Sequence, residues 1–380
     1  MKIAVNTRLL LEDKLEGIGW FTYETLKRIT LAHPEHEFHF FFDRPYSEKF
    51  IFSKNIIPHV LFPQARHPFL FYLFFEYAVT KKLKEIHADA FITTDGYSTL
   101  SSQVKILNVI HDINFEHRPQ DLPFLQRKYY QYFFPRFARK ASRIATVSEF
   151  SKNDLINTYG IPADKIDVVY NGSNERYTPI TETDQNKTKY KYSSGRPYFL
   201  FVGSLNPRKN IKNLILAFEE FKKTYPSDVK LLVVGQLMWK DTDFKDVYMN
   251  MKFKHDVHFL GRLSSSELKN IIASALALTY VPFFEGFGIP ILEAMNCDVP
   301  VLTSNITSMP EVAGDAAILV HPESVEEIKN GMIYLAKDPE ARKELIKKGR
   351  IQREKFSWDK TADKLWQSFE RMIKLSQKPE

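Results

Sequence analysis

A chain of 380 residues, 44% hydrophobic and 26% charged, is too long for one ordinary core and sits at the soluble globular norm, which excludes both a disordered and a membrane-embedded protein. The net charge of +7 is spread over both halves, with 22 Lys+Arg against 19 Asp+Glu in residues 1–172 and 31 against 27 in the remainder, so no global basic tract marks a nucleic-acid binder. A single cysteine, Cys297, excludes an internal disulfide and a multi-cysteine metal site; MKIAVNTRLL has no signal-like apolar region and no apolar run nears the roughly 20 residues that span a bilayer, so a cytoplasmic chain is expected.

In chain order, KIAV reads as a first strand, followed by Gly17-Ile18-Gly19 and a helix from Trp20 to Thr30. EFHFFF is a second strand, with a loop after it. Phe71 to Ile86 then reads as helix, ADAFITT and KILNVI as strands, Leu122 to Lys140 as helix and RIATVS as strand. Ser148 caps a helix through EFSKNDLINTYG, and DKIDVVYNG closes the first domain near Gly172. Thr178 to Pro197 is polar, almost free of aliphatics and bounded by prolines, which is linker chemistry. The alternation restarts at PYFLFVGS and runs through VKLLVVG, VHFLG, SSSELKNIIASA, LALTYVP, VPVLTS and AAILVHP to VEEIKNGMIYLAK. Trp358, Ala362, Leu365, Trp366, Phe369, Met372 and Ile373 then recur at helical spacing.

The predicted domains are 1–172, a linker at 173–197, a second domain at 198–356, and a packing helix with a tail at 357–380. Strands alternating with helices predict parallel sheets. The fold class expected is α/β, with two doubly wound Rossmann-like domains whose strand C-terminal ends face a shared crevice.

The stretch FFEGFGIPILEAM, Phe283 to Met295, places Glu285 and Glu293 on either side of Gly286-Phe287-Gly288 and Pro290. Pro290 suits the start of a helix running to Asn296. The glycine approach and the helix start suit a phosphate. A carboxylate beside a diphosphate would be repelled, but one accepting from sugar hydroxyls gains charge-assisted bonds. Glu293 is thereby assigned to a ribose and Glu285 to a sugar beyond the phosphates, the alternative being an exposed helix acid and a loop acid. Arg208 and Lys209, in FVGSLNPRKN after the strand ending at Gly203, supply a guanidinium fork and a point charge for the diphosphate.

These residues carry a resemblance. ALTYVPFFEGFGIPILEAMNCDVPVLTSNITSMPEVAGDAAILVHPES resembles the signature of the family 4, retaining, GT-B fold glycosyltransferases, and GIGWFTYETL, VIHDINFEHRP, ATVSEFSKNDL, VVYNGSNERYTP, FVGSLNPRKN and HFLGRLSSSEL resemble that family's blocks in its order. The resemblance implies that Glu293 binds the ribose, that Glu285 and the amides of Gly286, Phe287 and Gly288 hold the donor sugar and diphosphate, and that Lys209 is the phosphate lysine. Ser204 stands where many members carry arginine, with Arg208 as the substitute. Asp298 replaces a frequent glycine, and Gly261 with Arg262 resembles the turn that receives the base.

In the first domain, Gly17 and Gly19 match the family's N-terminal glycine loop. His111 follows KILNVI at a strand end, where the resemblance places it at the sugar, and Asp112 either orients its imidazole or caps the next segment. Asp241-Thr242-Asp243 resembles the metal site of the other glycosyltransferase class, but lies in the polar MWKDTDFKD, where a solvated helix start accounts for it.

The activity implied is metal-independent, retaining transfer of a hexose from a nucleotide diphosphate sugar to a glycan or lipid-linked acceptor in surface polysaccharide synthesis. Glu285, His111 and Lys209 form the catalytic set. No cofactor, no metal and no nucleic acid is expected, and the donor is GDP-mannose or a UDP-sugar, with the mannosyl donor preferred. RHPFLFYLFFEYAVTKKL and RKYYQYFFPRFARKASR mix aromatics with cations, as surfaces resting on anionic lipid do. An amphipathic helix packed in the first-domain core accounts for the same residues; peripheral contact at the inner face of the membrane is kept beside it. The rivals are a nucleotide-sugar epimerase of the same architecture and a non-enzymatic nucleic-acid binder using the basic segment Leu122 to Ser148.

Overall fold

A computed structural model describes residues 1–12, 15–236 and 244–374. The Asp241-Thr242-Asp243 motif lies outside the described residues. The chain divides into two units, Met1–Gly172 together with the segment from Ser357 onward, and Ser173–Phe356.

The first unit is built on β1 (Lys2–Asn6), β2 (Glu37–Phe42), β3 (Ile56–Val60), β4 (Ala90–Thr93), β5 (Lys105–Val109), β6 (Arg143–Thr146) and β7 (Ile166–Val168). They form one parallel sheet in the order β3-β2-β1-β4-β5-β6-β7. The inner strands are buried almost end to end, as a sheet covered on both faces requires. Strand order reverses between β1 and β4, whose ends are level at Asn6 and Thr93. The loop predicted after EFHFFF contains β3. Its proline, Pro58, cannot donate to a ladder, and β3 is accordingly the edge strand. The terminal helix Trp358–Lys374 belongs to this unit: it buries Trp358, Leu365, Phe369 and Met372, and Trp366 stacks on His33 at 3.8 Å beyond the helix Gly17–Ala32.

The second unit carries β8 (Tyr198–Val202), β9 (Lys230–Val234), β10 (Val257–Gly261), β11 (Ala277–Tyr280), β12 (Val301–Ser304) and β13 (Ala317–Val320). Their parallel order is β10-β9-β8-β11-β12-β13, with the reversal between β8 and β11. The segment read as a linker, 173–197, belongs to this unit and holds the helix Glu182–Ser193. Thr181 caps that helix by accepting from the Asp184 amide at 3.2 Å, and Ser194 ends it in the left-handed region. Capping, rather than an apolar stripe, defines it.

Candidate active site

In open parallel sheets, ligands bind outside the strand C-terminal ends where strand order reverses. In the second unit that point lies between β8 and β11, and the loops leaving these two strands carry the charged residues singled out above. The β8 loop makes a short turn over Pro207–Lys209. The Phe283 amide donates to the Arg208 carbonyl at 2.8 Å, and the Asn210 amide group donates to the carbonyls of Val281 at 2.9 Å and Pro322 at 2.7 Å. These bonds stitch the loops after β8, β11 and β13 together.

Within that frame Arg208 and Lys209 both pair with the Glu285 carboxylate, and Arg208 also donates to the Phe284 carbonyl at 3.0 Å. Arg208, Lys209 and Glu285 therefore form one ion-paired cluster of net charge +1. Tyr280, the last residue of β11 and fully buried, completes it: its hydroxyl accepts from the Lys209 ammonium and hydrogen-bonds Glu285. Burial, and then the Glu285 charge, push its phenol well above the ordinary range, so it keeps its proton. The sequence reading took LALTYVP only as strand and missed this tyrosine. Ser204, where the family pattern has arginine, accepts from the Asn206 side chain at 3.1 Å.

The turn from Gly286 to Gly288 delivers the chain into the helix Ile289–Asn296, with Pro290 in its first turn. Gly288 has φ +104, and a β-carbon there would lie 2.6 Å from the Met309 Cε. A side chain at this position is strained by the backbone conformation and must displace the flexible end of Met309. The single Ser308 hydroxyl proton lies within reach of the carbonyls of Glu285 at 2.8 Å and Phe287 at 3.1 Å, tying Ser308 to the turn. The Phe287 ring is buried edge-on against Phe356, centroids 5.6 Å apart, so that residue has only its backbone to offer a ligand. Asp298 holds φ +57 and is gripped by Arg350, at 3.0 and 2.6 Å, and by Arg353.

One turn into the helix, Glu293 is half-buried beside Tyr177 and Arg176. Burial pushes its carboxyl up to about 7, opposed by the Tyr177 hydrogen bond and the Arg176 charge. Both partners lie in the first residues of the supposed linker, 173–197, and neither was read as functional. Gly261 and Arg262 are exposed at the end of β10, the outer strand, with β9 and β8 between them and the Glu285 cluster. The Gly261 carbonyl accepts from the Gly235 amide at 2.9 Å.

In the first unit the helix begins at Gly17 rather than Trp20, so Gly17 and Gly19 form its first turn instead of a preceding loop. A β-carbon on Gly19 would lie 3.0 Å from the Leu9 carbonyl, whereas Gly17 borders open space. The His111 Nε2 lies 2.9 Å from the Thr94 carbonyl, which can only accept. Nε2 therefore carries the hydrogen, and Nδ1 of the neutral ring is an acceptor. Burial lowers the imidazole pKa against the Thr94 hydrogen bond and the Asp112 charge, so the neutral form prevails at pH 7. Asp112 accepts from the Asn114 amide at 3.0 Å and from its side chain at 2.5 Å, which ties it to the turn entering the next helix. Sequence reasoning also passed over Arg8, which lies on the loop after β1, pairs with Asp95 at 2.6 Å and rests 4.3 Å from the Tyr97 ring centre.

Comparison with known proteins agrees with this architecture. Residues 182–352 match the family Glycosyl transferases group 1, and residues 16–176 match Glycosyltransferase Family 4. The chain is 31% identical over 260 residues to O-antigen chain mannosyltransferase B of Escherichia coli, an alignment covering 67% of each chain. It is 29% identical over 232 residues to O-antigen chain mannosyltransferase RfbU of Salmonella typhimurium, covering 61% of each. Among solved structures, Anabaena Alr3699/HepE in complex with UDP-glucose superposes with a TM-score of 0.77 at 18% identity over 98% of this chain and all of that one. WaaG, a glycosyltransferase involved in lipopolysaccharide biosynthesis, gives 0.74 at 17% identity over 95% and 98%. These likenesses show the fold.

Proposed function

Because this chain belongs to the group 1 and family 4 glycosyltransferases and its two Rossmann-like units are those of the GT-B fold, we propose that it transfers a mannosyl residue from GDP-mannose to a glycan or lipid-linked acceptor in surface polysaccharide synthesis. The similarity to O-antigen mannosyltransferases supports the sugar and the setting. The observation that carries the chemistry is the cluster of Arg208, Lys209 and Glu285 around Tyr280 at the strand-order reversal.

On this proposal the diphosphate exchanges partners with Glu285. Arg208 and Lys209 meet the developing charge of the leaving group, aided by the helix start at Gly288, with no call on a metal ion. Glu285, relieved of part of its ion pairing, accepts from hydroxyls of the sugar, and Glu293 accepts from the ribose. Tyr280 is a positioning residue, holding Lys209 and Glu285 in fixed register. The His111 Nδ1 lone pair accepts from a sugar hydroxyl. The bond from the anomeric carbon to the diphosphate oxygen breaks, a bond to the acceptor oxygen forms on the same face, and the acceptor proton passes to the leaving phosphate oxygen. Gly261 with Arg262 receives the base. The epimerase alternative has no support among the relatives.

A thermal-shift panel of GDP, UDP, ADP and their sugars tests the donor assignment. GDP and GDP-mannose are expected to give the largest shifts, and a larger shift with UDP-glucose would overturn the mannosyl assignment while leaving the site intact.

A further inference from the structure

We propose that the first unit carries a docking face for an anionic lipid bilayer, formed by the helix Phe124–Lys140 and by the chain from Phe62 to Lys84. The sequence left open whether these aromatics are core or surface, and the structure divides them. The helix Phe124–Lys140 buries Tyr129, Phe134, Phe137 and Ala138. Its solvent side is the stripe Leu125, Lys128, Tyr132, Arg136 and Arg139, all exposed and repeating at helical spacing. Every member is apolar, aromatic or cationic. The Arg136 guanidinium rests 3.6 Å from the Tyr132 ring centre, and Arg127 and Lys128 sit over Phe124.

The second strip lies alongside, joined to the first where Tyr72 meets Phe133 at 6.0 Å and Phe71 meets Tyr129 at 5.7 Å between ring centres. Its exposed residues include Phe62, Arg66, Phe69, Tyr77, Lys81 and Lys84. Phe62, Phe69, Tyr77, Phe124, Leu125 and Tyr132 are each between 53% and 72% exposed. The one acid within this strip, Glu76, is buried and consumed by the amides of Leu100 at 2.7 Å and Ser101 at 3.0 Å and by the Ser101 hydroxyl at 2.6 Å, and Glu85, just past the strip's end, is paired with Lys82 at 2.6 Å. No carboxylate interrupts the helix either, since Leu122 to Ser148 contains six basic residues and no acidic one.

An exposed aromatic face of this size needs an occupant. Aromatic rings at headgroup depth, flanked by cations that attract an anionic leaflet, are what an interfacial surface offers. A protein partner would gain from the rings but calls for no such one-sided charge. An anionic polymer would gain from the charge but calls for no protruding Leu125 or Phe62. The bilayer uses both. No helix among the described residues is long and apolar enough to cross a membrane, so the contact is one of lying on the surface.

The test is sedimentation of the full chain with vesicles of phosphatidylglycerol and phosphatidylcholine, against phosphatidylcholine alone. Binding is expected only to the anionic vesicles, weakening as salt rises. Lys128→Glu with Arg136→Glu should reduce it by roughly tenfold or more. Leu125→Ser with Tyr132→Ser should leave a residual, fully salt-reversible association. Both pairs should keep the GDP affinity of the parent, which separates this proposal from the donor-site assignment. Failure of the parent chain to pellet with anionic vesicles would overturn the proposal. So would binding that ignores both variant pairs, RNA binding with the same salt dependence but no vesicle binding, or self-association that hides these rings.

Discussion

Tyr280 makes the sharpest single-residue prediction. Its hydroxyl bridges Lys209 and Glu285 inside a fully buried setting, and hydrogen bonds to charged groups are worth about 1.5–3 kcal/mol each. Tyr280→Phe keeps the ring and its packing on Phe201. It is therefore expected to lower kcat by roughly ten- to a hundredfold with a small change in thermal midpoint; a purely structural hydroxyl would instead lower stability and spare kcat. Glu293 gives a pH-dependent prediction. Its folded pKa of about 7 lies above the ordinary carboxyl value of 4.5, so the associated stability is fully present below the unfolded value and is lost as pH rises through 7. Glu293→Gln should raise the thermal midpoint at about pH 8 relative to the parent, with little gain at about pH 5. It should also flatten the rise in GDP-mannose affinity expected as the parent's carboxyl ionises. Glu285, Glu293, Arg208 and Lys209 were legible because their spacing around glycines and a proline is local. Tyr280 and Tyr177 were not, because a tyrosine in an apolar strand or a loop joins a candidate site only when the fold brings a carboxylate to its hydroxyl.

At the scale of elements, the turn Gly286 to Gly288 is the most constrained piece of the second unit. Gly288→Ala must tolerate φ +104 and displace Met309, and strained backbone of this kind costs about 1–3 kcal/mol. Urea denaturation should register that loss, and calorimetry should find donor binding weakened along with it. Continuous apolar runs such as YFLFV and KLLVV declared their strands directly. The elements that escaped have other origins. β3 carries a proline and half-exposed residues, so neither run nor alternation marks it. The helix Glu182–Ser193 has no apolar stripe and is set by its caps. The helix Pro339–Arg353 is similarly polar. Asp338 caps it by accepting from the Ala341 amide at 2.9 Å, and Arg353 ties it to the Met295 carbonyl at 2.8 Å. Cap residues in polar sequence are common, which is why they carried too little weight.

For the whole molecule, the chain crosses into the second unit at Ser173 and returns to the first at Ser357. The return was legible as a packing helix, but periodicity names the buried face without naming the surface it covers. Leu365 is fully buried in the first unit, and removing such a side chain costs about 2–5 kcal/mol. Leu365→Ala is expected to destabilise the first unit in thermal unfolding while the GDP affinity of the second stays near that of the parent. A parallel loss of GDP affinity at temperatures where the protein is folded would show that the two units are not energetically separable in this way.

On the proposed mechanism Glu293 addresses the nucleotide and Glu285 the transferred sugar. This division is tested most directly by measuring GDP affinity and mannosyl transfer from GDP-mannose side by side in Glu285→Gln and Glu293→Gln. Glu293→Gln is expected to weaken GDP binding, whereas Glu285→Gln should retain GDP binding and lose transfer by roughly a hundredfold, the scale set by removing a charge-assisted contact in the transition state. Transfer at the parent rate in Glu285→Gln, or undiminished GDP affinity in Glu293→Gln, would contradict it.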